Sequence, residues 1–326
     1  MTFTATPVVP LSRAVTGDYE IWMKRDDLLP FSFGGNKVRI ADAFLADMRR
    51  QGADALIFYG DRRSNLCRVL ANRCHIGRIP AIMIATEEHA SPFGHEPFNS
   101  RLIRSFGIPV IDCAKTAIAP AVDEAFDRLK KEGYKPYYIY GDRTGSGNEG
   151  TAAMAYAAAY REILDFERSA GFAFDRIVTP YGTGATMSGL ICGELDSGSD
   201  PRILGISISS RSYDRAFHLL KEGIAGYYEK TGRTVPAGYE SRICLETAYN
   251  KGGYGLYDTE VTDLIDRMLK EEGIPMDPTY TAKAFAGLLH YLKDREAEGE
   301  SFAGRRFLYL HTGGLPLFFD YISEER

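Results

Sequence analysis

The chain has 326 residues and a mass of 36.2 kDa, enough for two domains or one large α/β unit. A net charge of −5 and a pI of about 5.8 supply no basic face, which argues against nucleic acid, and no apolar run nears the ~20 residues of a membrane helix. Five cysteines without a CxxC pair match neither a disulfide framework nor a zinc site, so a reduced, cytoplasmic setting and no metal are expected. The first residues lack a basic start and a continuous apolar run, so no signal peptide is expected.

Along the chain, FSFGGNKVRI (31–40) comes first as a loop of glycines opening a helix, with Ala41, Phe44, Leu45 and Met48 at helical spacing. ALIFY (55–59) reads as a buried strand, followed by the polar loop GDRRSN (60–65) and a helical face of Leu66, Val69, Leu70 and Cys74. AIMIA (81–85), PVID (109–112) and YYIY (137–140) read as further strands, the last leading into GDRTGSGNEG (141–150). RIVT (176–179) precedes PYGTGATMSG (180–189), and ILGISIS (203–209) is the next strand. The stretches 193–202 and 227–242 read as surface connections. Ala284, Phe285, Leu288 and Leu292 mark a late helix, and RFLYLH (306–311) a last strand before TGG (312–314). Strands alternating with helices predict an α/β fold on parallel sheets. Four glycine-bearing loops each follow a strand, so topology alone predicts that they converge on a crevice at the strands' carboxyl ends.

The loop after RIVT invites a phosphate. Gly182 and Gly184 allow the backbone to approach an anion, and the helix-start amides with the Thr183 and Thr186 hydroxyls can cradle it. The spacing is not that of a dinucleotide fingerprint, the next strand ends in SSR with no acid for a ribose, and no GK[ST] is present. A single phosphate monoester suits the loop better. The competing reading is a tight turn that packs a helix on a sheet.

A cofactor with one phosphate and a need for a lysine is pyridoxal 5′-phosphate, whose lysine forms a Schiff base and whose ring is an electron sink. Alone, Lys37 would be a solvated first-turn lysine. Its companions decide the matter. KRDDLLPFSFGGNKVR (24–39) resembles the cofactor-lysine region of the 1-aminocyclopropane-1-carboxylate deaminase and D-cysteine desulfhydrase family, which are fold-type-II, tryptophan-synthase-β-like enzymes. GDRRSNLCR (60–68), GTGATMSGL (182–190), EEGIPMDPTYTAKAFAGL (271–288) and HTGGLP (311–316) resemble, in family order, its Ser-Asn loop, phosphate loop, Asp-Pro-x-Tyr segment and final strand end.

The resemblance implies a role for each matched residue. Lys37 carries the cofactor and moves the α-proton. Asn65 hydrogen-bonds the cofactor's phenolic oxygen, and Ser64 faces the substrate, whose carboxylate the amides of that loop receive. Gly182, Thr183, Gly184, Ala185 and Thr186 wrap the phosphate, Tyr280 lies against the pyridine ring, and Thr312 offers its hydroxyl to the ring nitrogen. Tyr254, in KGGYGLYD (251–258), stands near the substrate. The family fold implies a large domain, 1–43 with 153–326, and a smaller inserted α/β domain, 44–152. A small amino-acid substrate and a homodimer are expected on the same ground.

Three departures bear on the substrate. Arg63, beside Arg62, stands where the family has glutamine, and could read a second acid on the substrate or simply pair with Asp61. Leu66 replaces a polar residue after the asparagine. Leu317 replaces a glycine after Leu-Pro and is expected to affect packing. At the position after Tyr280 the ring-opening enzymes of the family carry glutamate and the desulfhydrases threonine; this chain has Thr281. A hydroxyl does not firmly protonate the ring nitrogen, which favours expulsion of a β-substituent over transamination. The expected activity is therefore α,β-elimination with deamination. A ring-opening deaminase and a cofactor-holding protein with little turnover remain the alternatives.

Overall fold

The computed structural model describes residues 5–12, 15, 17–86 and 96–323. Its elements, in chain order, are β1 (Val8–Pro10), β2 (Glu20–Arg25), α1 (Asn36–Arg50), β3 (Ala55–Gly60), α2 (Asn65–Gly77), β4 (Ala81–Thr86), α3 (Phe98–Ser105), β5 (Val110–Cys113), α4 (Ile118–Lys131) and β6 (Pro136–Tyr138). There follow α5 (Glu149–Ala170), β7 (Arg176–Tyr181), α6 (Ala185–Ser197), β8 (Ile203–Ser207), α7 (Tyr213–Lys230), β9 (Cys244–Glu246), α8 (Thr259–Arg267), α9 (Thr281–Ala297), β10 (Arg306–His311) and α10 (Leu315–Ile322).

Two sheets organise these elements. A six-stranded sheet has the order β1-β2-β10-β7-β8-β9, parallel except for the β1–β2 pair. A four-stranded parallel sheet has the order β5-β4-β3-β6. All strands of the second sheet fall within 44–152, while α1 crosses the lower bound and α5 the upper. The strands of both sheets are almost continuously apolar and buried, as expected of parallel sheets covered on both faces. The α1 stripe of Ala41, Phe44, Leu45 and Met48 packs into the larger core cluster, as its spacing predicts.

Several boundaries differ from the sequence expectation. β6 ends at Tyr138 because Gly141 N–H returns to the Tyr138 carbonyl in a turn. The stretch 193–202 is helical through Ser197, and buried Glu194 accepts from Arg202 N–H and pairs with Arg242. Tyr227 and Tyr228 are the buried last turn of α7, not a surface connection, and both hydroxyls donate to Asp196. β1, β2 and β9 carry no apolar run long enough to mark them.

Candidate active site

The carboxyl ends of β3, β7, β8 and β10 face one cavity of about 330 Å³. Lys37, Ser64, Asn65, Leu66, the 182–186 loop, Tyr254, Tyr280 and Thr312 all line it. The loop GDRTGSGNEG does not. The Asp142 carboxylate accepts from Thr144 N–H, the Thr144 hydroxyl and Ser146 N–H, which curls the loop onto itself beside a separate cleft.

Lys37 sits in the first turn of α1, whose start is pinned from two sides. Asn36 N–H donates to the Thr312 carbonyl at 3.0 Å, and Asn36 Nδ2 donates to Thr186 Oγ1 at 3.0 Å. Gly35 lies so close to Gly313 that a Cβ on Gly313 would stand 2.5 Å from the Gly35 Cα. Among the described residues no carboxylate forms an ion pair with Lys37, and burial pushes its amine down to about 8.

Across the cavity, Gly184 holds φ +95° as the N-cap of α6, which turns the first helical amides towards the ligand space. Thr186 Oγ1 accepts from Asn36, so its own proton is left to donate. The rim of this loop carries Arg211, whose guanidinium donates to the Gly182 carbonyl. Asn36 and Arg211 have no counterpart among the residues expected from sequence. The signal for Arg211 was the SSR after the strand; nothing local marks Asn36 beyond its place before the lysine.

Ser64 is the N-cap of α2, and its Oγ accepts from Cys67 N–H at 3.2 Å. Tyr280 precedes α9, and the buried Asp277 carboxylate fixes that turn by accepting from the N–H groups of Thr279, Tyr280 and Thr281. The Tyr280 hydroxyl meets the Tyr254 hydroxyl at 2.9 Å with the rings edge to face. Burial raises the pKa of Tyr280 well above its ordinary value, so it is a neutral phenol near neutral pH, while Tyr254 is nearly half exposed. Tyr254 is held by a fully buried lysine. Lys283 Nζ donates to the Gly253 carbonyl at 2.6 Å and to the Ile208 carbonyl at 3.3 Å, and burial lowers it to about 8.

Thr281 is fully buried, and its hydroxyl is taken up by Asp277, donating to Oδ2 at 2.8 Å while accepting from the Asp277 N–H. It does not border the cavity, whereas Thr312 does. Arg63 does not border it either. Its Nε lies 3.5 Å from Asp61 Oδ1, and its N–H donates to the same oxygen at 2.6 Å. Of the two readings of Arg63, the pairing with Asp61 is the contact the loop makes, and a role towards the substrate stays an expectation. Arg62 turns to Asp112 instead. Leu317 is buried in α10. Among the described residues no group of acidic, histidine or cysteine side chains could hold a metal.

The residues suit a small aromatic phosphate that bonds covalently to an amine. A glycine-led helix N-terminus shares the cavity with a partly buried lysine that forms no carboxylate ion pair among the described residues, and a tyrosine ring beside Gly182 closes one flank, with Tyr280 Cε1 3.7 Å from where a Cβ on Gly182 would sit. This is the frame of a fold-type-II pyridoxal phosphate enzyme. The chain belongs to the pyridoxal-phosphate dependent enzyme family, whose profile matches residues 1–313. It is 29% identical to a 1-aminocyclopropane-1-carboxylate deaminase of Burkholderia ambifaria, over 97% of this chain and 94% of the relative. It is 30% identical to a D-cysteine desulfhydrase of Yersinia pestis, over 97% of this chain and 93% of the relative. A solved ACC deaminase homologue superposes with a TM-score of 0.80 at 28% identity, covering 98% of this chain and 92% of that one.

Proposed function

We propose that this pyridoxal-phosphate enzyme is a lyase that eliminates a β-substituent from a small amino acid and releases a 2-keto acid and ammonia. The observation that carries the reading is the position of Lys37. Its amine lines the cavity with the Ser64–Asn65 helix cap and the 182–186 loop, is lowered by burial to about 8, and forms no ion pair with a carboxylate among the described residues.

Lys37, Asn65, Tyr280, Thr312 and the 182–186 loop would hold the cofactor, which when bound supplies the electron sink for the pair left at Cα. Lys37, once its amine is free, takes the α-proton. The α2 amides and the Ser64 hydroxyl receive the substrate carboxylate at a helix N-terminus. Tyr254, neutral and paired with Tyr280, stands ready to protonate the departing group as its bond to Cβ breaks. The enamine so released tautomerises and is hydrolysed by water to keto acid and ammonia.

Elimination is favoured over ring opening by Thr281. Its hydroxyl is bound within the α9 turn, so no acid at this position approaches the cavity and the hydroxyl of Thr312 is left for the ring nitrogen. A panel of β-substituted D- and L-amino acids with 1-aminocyclopropane-1-carboxylate, scored for keto acid and ammonia, tests the reading. Turnover of the cyclopropane alone would replace elimination with ring opening, and no turnover of any would leave a cofactor-holding protein.

The reading includes a division into 1–43 with 153–326 and an inserted 44–152, supported by the two separate sheets. It also includes a cytoplasmic setting, supported by five free cysteines and by no helix among the described residues being long and apolar enough to cross a membrane. The homodimer rests on the family resemblance, and sedimentation equilibrium measures it.

A further inference from the structure

We propose that Asn99 is a positioning residue that sets the side-chain amide of Asn65, turning its oxygen into the protein and its nitrogen into the cavity as a hydrogen-bond donor. Asn99 lies in the first turn of α3 and is fully buried. Its Nδ2 donates to the Arg63 backbone carbonyl at 2.7 Å and to Asn65 Oδ1 at 3.0 Å.

The chemistry of these partners leaves one orientation. A peptide carbonyl can only accept, so the Asn99 atom facing Arg63 must be the nitrogen. The same nitrogen meets Asn65, so the Asn65 atom it meets must be the acceptor oxygen. One backbone carbonyl therefore fixes two side-chain amides that could each otherwise be turned end for end. Asn65 borders the cavity, and its Nδ2 has no hydrogen-bond acceptor among the described residues. The α2 cap thus presents an N–H donor to the ligand, with no acceptor in its place.

The inference rests on the reading that Asn65 meets the cofactor's phenolic oxygen. A donor there favours the ionised oxygen, whereas an amide turned the other way would favour a protonated one. Asn99 itself touches neither cofactor nor substrate. It acts from the four-stranded sheet's side of the cleft, through the Ser64–Asn65 loop.

The test is a double-mutant cycle on cofactor affinity and spectrum. Asn99→Asp keeps the size but offers Asn65 an acceptor, so Asn65 turns its nitrogen inward and its oxygen to the cavity. The dissociation constant for pyridoxal 5′-phosphate should rise by about tenfold to a hundredfold, the loss of a hydrogen bond to a charged oxygen. The bound cofactor's visible band should lose intensity to a near-ultraviolet one, the signature of a protonated phenolic oxygen. In an Asn65→Ala background both effects should vanish, because Asn99 then has nothing to orient. Should Asn99→Asp not fold, Asn99→Ala is read in the same cycle with a smaller loss expected.

The inference is overturned if the substitution leaves affinity and spectrum as in the native protein, or if it weakens binding equally in the Asn65→Ala background. Native affinity in Asn65→Ala alone would overturn both this inference and the role of Asn65. Lys37→Ala separates that result from failure of the cofactor reading, since it abolishes the visible band wherever Lys37 carries the cofactor.

Discussion

Asn36 donates through its side chain to the Thr186 hydroxyl across 3.0 Å, although the two residues are 150 positions apart. The bond joins the residue before Lys37 to the first turn of α6, so the proposed covalent and electrostatic anchors of the cofactor are set against each other directly. Asn36→Ala removes this one neutral hydrogen bond and leaves the backbone bond to Thr312. Affinity for pyridoxal 5′-phosphate should fall by about twofold to tenfold, measured by titrating the apoprotein. A change in turnover at saturating cofactor with no change in affinity would contradict this role.

Lys37 yields a pH prediction with a definite sign. Its ordinary value is 10.5, and burial lowers it to about 8 because the ammonium form loses hydration. Only the neutral amine attacks the cofactor aldehyde. Capture of the cofactor by the apoprotein should therefore accelerate as pH rises to about 8 and then level off, rather than climbing towards 10.5. Stopped-flow appearance of the visible band measures this. The same depression acts on stability. Between about 8 and 10.5 the unfolded chain binds the proton and the folded one does not, so apoprotein stability rises with pH there. Lys37→Ala should abolish the visible band and reduce that rise, leaving the share that buried Lys283, also lowered to about 8, contributes.

Lys283 anchors the backbone carbonyl of Gly253, the residue before Tyr254. Both carbonyls that it satisfies belong to segments bordering the cavity, and one directly precedes Tyr254. Lys283→Met strands those carbonyls, which should cost about 1–3 kcal/mol of stability by thermal or urea melts. It should also lower turnover much as Tyr254→Phe does, by about a hundredfold if the Tyr254 hydroxyl acts as the acid, with cofactor affinity little changed in either variant. A Lys283→Met enzyme with full turnover would separate Tyr254 from this support.

Much of the site was legible because its chemistry is local. The glycine-led loops and the Ser-Asn cap announce helix N-termini at strand ends, and three of the four loops do meet. GDRTGSGNEG failed the same test because Asp142, a strong turn former, uses its carboxylate to fold the loop upon itself. Asn99 and Lys283 were not legible for the opposite reason. Each sits in an ordinary helical stretch and acquires its role only when distant backbone carbonyls are folded onto it. Arg63 could be read two ways from sequence, and its contacts with Asp61 two residues away favour the structural one.

That pairing leads to the last prediction, which concerns two arginines. Arg63 is tied to Asp61 through both its side chain and its N–H, and Asp61 is one of the residues lining the cavity. Arg211 does border the cavity, beside the phosphate loop, with its guanidinium on the Gly182 carbonyl. Arg211 thus adds a cation to the cavity that Lys37 also lines, and a phosphate on the 182–186 loop is the anion it is expected to serve. Arg211→Gln should weaken cofactor affinity by about threefold to tenfold, more at low ionic strength than at high, since this arginine is partly open to solvent screening. Arg63→Gln restores the residue usual in the family. It should shift KM for neutral and acidic β-substituted amino acids by the same small factor, because its charge is already met by Asp61. Steady-state kinetics on one neutral and one acidic substrate, with cofactor titrations at two salt concentrations, check both statements. A selective loss for the acidic substrate in Arg63→Gln would return Arg63 to the substrate's far end, and a salt-independent affinity in Arg211→Gln would remove Arg211 from the phosphate.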